Sequence, residues 1–171
     1  PNPILKKVEI KPINSLISDA YVDKIFNNFY GTTLNLKELQ NKVEIIKKRY
    51  ENEGYSLVRI TGPDRITENG IVTLNVSEGI VSDIKLRFLG SDGESTIDGE
   101  LRKGKTKDWV IKRELKTQPG TVFNRKVLEA DINRLYRTSL FDDVRVSLGT
   151  DNSNPGNVII FLDLSEQRTG S

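Results

Sequence analysis

The sequence contains one pattern of residues twice, which limits the chain to two small modules of the same kind. In each half, a glycine and an asparagine precede an amphipathic stretch that ends on a tyrosine, and an aromatic residue and a valine follow. The repeated residues are Gly31, Asn35, Tyr50, Tyr55 and Val58, then Gly120, Asn124, Tyr136, Phe141 and Val144. Self-similarity of this kind indicates recurring supersecondary units. We therefore expect one module at residues 1–79 and a second at residues 80–171.

The apolar spacing predicts the order β-α-α-β-β in each module. Alternation with period two predicts strands, and spacing of three and four predicts helices. The predicted helices span 18–30, 35–50, 107–116 and 125–138, and the predicted strands include 5–10, 58–60, 72–76, 84–88, 144–148 and 158–164. We expect the α+β class, with each module a three-stranded mixed sheet that carries two helices on one face.

The composition argues against catalysis and metal binding. The chain has no cysteine and no histidine, which excludes disulfides, thiolate nucleophiles, the usual zinc sites and Ser-His catalysis. Its 26 basic and 24 acidic residues give a net charge of +2, so charge does not favour a nucleic-acid partner. We expect no catalytic residue, no metal, no cofactor and no nucleic-acid partner.

The ordered set of motifs resembles the POTRA domains of BamA/TOC-type outer-membrane barrels. The resemblance rests on the element order, on the Gly-x-x-x-Asn that opens each second helix, and on two further motifs. These are Tyr-x-x-x-Gly-Tyr at 50–55 and Tyr-x-x-x-x-Phe-x-x-Val at 136–144. Leu140 departs from the pattern, because it stands where the first copy has Gly54. Residues 165–171 resemble the junction between the last POTRA domain and the barrel.

The resemblance implies a non-catalytic periplasmic arm that engages precursor polypeptides for membrane insertion or translocation. The implied location is the periplasmic face of an outer membrane or the equivalent chloroplast envelope compartment, with the cyanobacterial or chloroplast branch favoured. The implied partners are unfolded precursors, the chain's own C-terminal β-barrel and a neighbouring POTRA domain. A two-partner-secretion transporter also carries two such modules and is the alternative.

The element order predicts that the middle strand of each module lies at a sheet edge. Unpaired N–H and C=O groups at an edge are a template for an added strand, so we expect client binding by β-augmentation there. The alternative is that the edges are solvated or guarded by Arg59 and Arg145. The predicted edge residues are Leu57, Val58, Arg59, Ile60 and Thr61 in the first module, and Asp143, Val144, Arg145, Val146, Ser147 and Leu148 in the second.

A second candidate surface lies on the open face of the second sheet. Ile159 and Phe161 occupy positions where alternation predicts polar side chains. One interpretation is a patch that docks against the barrel or a neighbouring module. The other is that the stems of Lys85 and Arg87 cover these apolar side chains.

The segment before the second module's first helix is basic and matches a nucleotide-binding pattern. Residues 99–106 fit G-x-x-x-x-G-K-[ST], and 158–163 resemble a strand that ends in a magnesium-binding aspartate. Residues 90–98 separate the pattern from the preceding strand, which argues against a phosphate loop. We expect a mobile insertion with solvated basic residues, or one that contacts outer-membrane lipid headgroups or acidic precursors. Its basic residues are Arg102, Lys103, Lys105 and Lys107; Trp109, just beyond, is expected in the core or between modules.

Overall fold

A three-stranded mixed sheet with accompanying helices forms each of the two units into which the chain divides, Pro1–Glu78 and Gly79–Ser171. The computed structural model describes residues 2–12, 16–64 and 66–168. The expected junction at 165–171 therefore lies partly outside the described residues. No helix in the described ranges combines the length and the apolar character needed to cross a membrane.

The first module has the predicted element order. Its last strand lies in the centre of the sheet, parallel to the first strand and antiparallel to the middle one. The elements are β1 (Lys7–Lys11), α1 (Asp19–Phe26), a 3-10 turn (Asn27–Phe29), α2 (Leu36–Asn52), β2 (Arg59–Thr61) and β3 (Ile71–Ser77).

Helix α2 supplies much of the first module's core. Its buried side chains recur every three or four residues and include Leu39, Ile46 and Tyr50. Asn35 caps the helix, because its side chain accepts hydrogen bonds from the N–H groups of Lys37 and Glu38. The amphipathic pattern and the cap together explain why the sequence predicted this helix well.

The second module repeats the same topology, with its last strand in the centre of the sheet. It adds a small hairpin after the first strand, which the sequence did not predict. The elements are β4 (Val81–Phe88), β5 (Thr96–Ile97), β6 (Glu100–Leu101), α3 (Asp108–Lys112), α4 (Arg125–Arg137), β7 (Phe141–Thr150) and β8 (Val158–Glu166). Helix α4 carries the equivalent asparagine cap, Asn124.

Helix α3 is shorter than the predicted 107–116, and a buried carboxylate accepts backbone N–H groups where the predicted helix would end. Asp131, on α4, is completely buried and accepts hydrogen bonds from the N–H groups of Lys116 (2.9 Å) and Thr117 (3.0 Å). The Thr117 hydroxyl (2.5 Å) and the Arg134 guanidinium also donate to it. Arg134 in turn donates to the Glu114 carbonyl at 2.8 Å, so Asp131 and Arg134 fix the end of the α3 segment against α4.

Replacing Asp131 with alanine is expected to lower the free energy of unfolding of the second module by about 3–5 kcal/mol. The change leaves buried backbone donors and a cation without their acceptor. Chemical denaturation followed by circular dichroism measures the loss. Glu129→Ala is the matched control, since Glu129 lies on the same helix in an exposed pair with Arg125 and should cost less than about 0.5 kcal/mol. Equal losses in the two variants would contradict the anchoring role.

Candidate strand-pairing site at the sheet edges

Each sheet has two edges, because the last strand of each module occupies the centre. The middle strands β2 and β7 form one edge of their sheets, as the sequence predicted. The first strands β1 and β4 form the opposite edges, which were not among the predicted sites. The predicted strand order already implied these second edges, since a three-stranded sheet with its last strand in the centre must leave both other strands at edges.

The edge of the first module is short. Of the predicted residues Leu57–Thr61, only Arg59, Ile60 and Thr61 lie in β2. Leu57 and Val58 precede the strand, and Val58 is buried in the core. Placing them on the edge was therefore wrong. Pro63, two residues after the strand, has no N–H group, so this edge presents few donors to another chain.

The edge of the second module is long and includes all of the predicted residues. Strand β7 has ten residues, from Phe141 to Thr150, and contains the whole predicted range 143–148. It pairs with β8 in continuous antiparallel register from Asp143 to Thr150. An added strand would therefore find an already ordered template.

One hydrogen bond reveals which backbone groups of β7 face outward. The Val144 N–H donates to the Tyr136 hydroxyl at 3.0 Å, on the side away from β8. Successive residues of a strand direct their backbone groups to opposite sides, so Val146, Leu148 and Thr150 also face outward. None of these three has an outward hydrogen-bond partner within the part of the chain that the structure describes.

The side chains beside these outward groups are apolar on one face and charged on the other. Val144 is buried, Val146 is half-buried and Leu148 is 44% exposed, so the apolar row becomes more exposed along the strand. On the opposite face, Arg145 donates to Asp143 at 2.8 Å. The Arg145 hydrogen bond lowers the pKa of Asp143, partial burial opposes it, and the hydrogen bond from Tyr136 lowers it further.

The edge of β1 is partly closed by a tyrosine. The Tyr30 hydroxyl accepts a hydrogen bond from the Val8 N–H (3.2 Å) and donates to Asp23 (2.7 Å), which also pairs with Lys7 (3.0 Å). Burial, followed by the hydrogen bond to Asp23, raises the pKa of Tyr30 to about 12. The hydroxyl therefore stays protonated at neutral pH and keeps both bonds.

Arg87 covers the aromatic side chain on the open face of the second sheet. Its guanidinium lies 4.4 Å from the centre of the Phe161 ring and donates to both carboxylate oxygens of Asp163, at 2.6 and 3.2 Å. The Phe161 ring packs over Gly149, where an added Cβ would come within 2.7 Å of a ring carbon. Phe161 and Ile159 are both half-buried, whereas Lys85 is exposed. Docking of another surface here stays a prediction.

The segment 90–107 is an ordered hairpin rather than an unstructured insertion. Strands β5 and β6 pair around a turn at Asp98 (φ 52°) and Gly99 (φ 83°). Arg102 donates to the Glu94 carbonyl at 2.9 Å and pairs with Asp92 at 3.3 Å, so the expectation that Arg102 is solvated was wrong. The other three basic residues, Lys103, Lys105 and Lys107, are exposed, and their contact with lipid stays a prediction.

The nucleotide-binding pattern at 99–106 has a structural explanation in this fold. A Cβ at Gly104 would overlap the ring of Phe88, which accounts for that glycine. The N–H groups of Lys105 and Thr106 both donate to the Glu166 carboxylate at 2.9 Å, and the Thr106 hydroxyl donates to it as well. The groups that would hold a phosphate in a phosphate loop therefore hold a carboxylate of the same module.

Trp109 is 63% exposed, so its assignment to the core was wrong. Within residues 2–12, 16–64 and 66–168, no three acidic side chains lie close enough together to hold a metal ion.

Two sequence families match the chain, one for each module. The family described as "POTRA domain, ShlB-type" matches residues 4–79, and the POTRA family described as "Surface antigen variable number repeat" matches residues 93–167. The duplicated β-α-α-β-β fold with a central last strand is thus a tandem pair of POTRA domains.

Known structures and relatives identify the branch. The N-terminal domain of Omp85 from the cyanobacterium Thermosynechococcus elongatus is 39% identical, with a TM-score of 0.85, and the match covers 99% of this chain and 68% of that one. Outer envelope protein 80, chloroplastic, of Arabidopsis thaliana is 26% identical over 156 residues, which are 91% of this chain and 20% of that protein. The chain belongs to the Omp85 family, in the cyanobacterial and chloroplast branch.

The same comparisons give the location and the extent of the match. The chain lies at the periplasmic face of an outer membrane or in the equivalent chloroplast envelope compartment. It spans about a fifth of the length of the curated relative from Arabidopsis. CdiB from Escherichia coli is 16% identical with a TM-score of 0.72 over 95% of this chain and 27% of that one, which shows a shared fold.

Replacing Glu166 with alanine is expected to speed amide hydrogen exchange at Lys105 and Thr106 by roughly tenfold to a hundredfold. A hydrogen bond to a charged acceptor contributes about 1.5–3 kcal/mol, and about 1.4 kcal/mol corresponds to a factor of ten. Exchange followed by NMR at single-residue resolution measures the effect. Gln167→Ala, which changes an exposed neighbouring side chain, should leave both amides protected. Unchanged exchange in Glu166→Ala would show that the carboxylate does not hold the loop.

Proposed function

We propose that this chain is a non-catalytic polypeptide-binding arm and that its β7 edge receives precursor segments as an added strand. The observation that carries the proposal is the row of outward backbone groups at Val146, Leu148 and Thr150, which have no partner among the described residues. An extended segment that aligns with β7 would satisfy these groups and continue the sheet.

Pairing through the backbone suits clients that share little sequence. Main-chain bonds depend on the extended conformation of the client, and only the flanking side chains add selectivity. The apolar row at Val146 and Leu148 favours clients whose apolar side chains alternate, because every second client side chain would lie beside it. Precursors of membrane β-barrels have this alternation.

The expected affinity is low, which suits a transient contact. Each outward residue of an antiparallel pair exchanges two hydrogen bonds, so three residues form about six. At about 0.5–1.5 kcal/mol each, these bonds contribute roughly 3–9 kcal/mol. Association costs roughly 4–15 kcal/mol, so the bonds leave at most about 5 kcal/mol of net gain. A client would bind and leave again without an energy source.

The other partners follow from the family and from the surfaces described above. We propose that the chain joins a C-terminal β-barrel and adjoins another POTRA domain. The patch around Ile159 and Phe161 is a candidate for those contacts, and Lys103, Lys105 and Lys107 are candidates for lipid headgroups. The greater identity to Omp85 than to CdiB favours assembly or translocation over two-partner secretion.

Replacing Leu148 with proline is expected to weaken strand addition while keeping the sheet intact. The Leu148 N–H faces outward, so proline removes a donor that a client would use and leaves the bonds to β8 in place. Titration of the labelled chain with a capped octapeptide of alternating threonine and valine, followed by amide chemical shifts, measures the binding. Wild type should show millimolar binding with shifts at 146, 148 and 150, and Leu148→Pro should show an affinity weaker by up to roughly tenfold.

Leu148→Thr is the matched control. It removes the same apolar side chain but keeps the N–H group, so it should retain most of the binding. Thermal unfolding of the three proteins checks that the proline variant remains folded. Absence of shifts along β7 in wild type would refute the proposed binding edge, and equal weakening in both variants would assign the binding to the side chain instead.

A further inference from the structure

The Tyr136 hydroxyl covers the backbone of Val144. This residue is the fourth outward-facing residue of β7, beside the open positions Val146, Leu148 and Thr150. It accepts a hydrogen bond from the Val144 N–H at 3.0 Å and lies 3.4 Å from the Val144 carbonyl oxygen. It also lies 3.1 Å from a carboxylate oxygen of Asp143, which is the better acceptor for its single proton. Both outward backbone groups of Val144 are therefore covered by one side chain from the end of α4.

A tyrosine covers an edge-strand N–H group in each module, but the two tyrosines differ in how firmly they are held. Tyr30 is half-buried, and its carboxylate partner Asp23 is held in turn by Lys7. Tyr136 is 41% exposed, so rotation of its side chain meets less resistance. Tyr30 is thus the more firmly held cover of a single edge position, and Tyr136 covers one position of an otherwise open edge.

We propose that Tyr136 sets the register of the strand that adds to β7, a role that rests on the proposed function. With the hydroxyl in place, an incoming segment begins its pairing at Val146 and ends at Thr150. Pairing at Val144 requires the hydroxyl to leave. Tyr136 is thus a specificity-determining residue that limits the paired client segment to three outward positions of β7.

The register has a consequence for client length. A fourth outward residue would add backbone hydrogen bonds, and one further bond changes an affinity roughly two- to tenfold. In wild type, longer extended segments do not gain this affinity, because the Tyr136 hydroxyl covers Val144. The tyrosine therefore keeps the affinity low and nearly independent of client length beyond the open stretch.

Tyr136→Phe separates this role from the proposed function. The ring stays and the hydroxyl is lost, and Tyr30→Phe makes the same change at the other covered edge. Amide hydrogen exchange without peptide should show a protected Val144 in wild type and in Tyr30→Phe, and exchange about tenfold faster in Tyr136→Phe. Titration with the capped threonine-valine octapeptide should leave the Val144 amide unshifted in wild type. In Tyr136→Phe it should shift Val144 together with 146, 148 and 150, and tighten the dissociation constant roughly two- to tenfold.

The outcomes distinguish the register role from the binding edge. If wild type binds the octapeptide and its Val144 amide shifts as strongly as Val146, the register role is wrong and the binding edge stands. The register role is also wrong if Tyr136→Phe leaves both the affinity and the Val144 shift unchanged. If no variant binds the octapeptide along β7, the proposed function fails, and the register role fails with it.

Discussion

The parallel pairing of the first and last strands in each module determines the rest of the architecture. Because β3 and β8 occupy the sheet centres, the strand before each of them must lie at an edge. The connection between parallel strands needs a long crossover, and the two helices of each module provide it. The same pairing that closes the core therefore leaves a strand whose outer backbone groups face solvent. An exposed edge is a hazard for a soluble domain and an asset for one that handles other chains.

The two modules share this topology and differ in what their edges offer. Strand β2 has three residues and leads into Gly62 and Pro63, whereas β7 has ten residues with an unbroken register from Asp143. A ladder gains stability with each added pair, so the second module is the better template. The duplication that defines the fold has thus not preserved edges of equal length.

Buried and half-buried carboxylates hold backbone segments that lie outside the helices and strands. Asp131 stands among the apolar positions of α4 and accepts backbone N–H groups from the end of the α3 segment. Glu166 accepts the Lys105 and Thr106 N–H groups, which a phosphate loop would use for nucleotide. In both cases a carboxylate satisfies main-chain donors outside regular secondary structure, which is the usual requirement for such groups.

The sequence by itself determined the duplication, the element order and the asparagine caps, since these depend on side-chain periodicity and on hydrogen bonds within four residues. It also predicted the β7 edge, and it offered cover by Lys85 and Arg87 as one of two interpretations of the apolar pair Ile159 and Phe161. Tertiary structure decided the length of β2, the end of α3, the β5–β6 hairpin, the exposed Trp109 and the bonds of Arg102 and Glu166. Glu166 lies 61 positions from Lys105, and Tyr136 reaches Val144 only after the chain has turned from helix to strand. The motif at 136–144 contains both Tyr136 and Val144 without showing their contact. Local pattern carries no record of the Glu166 contacts, because they form only when the packed sheet brings distant residues together.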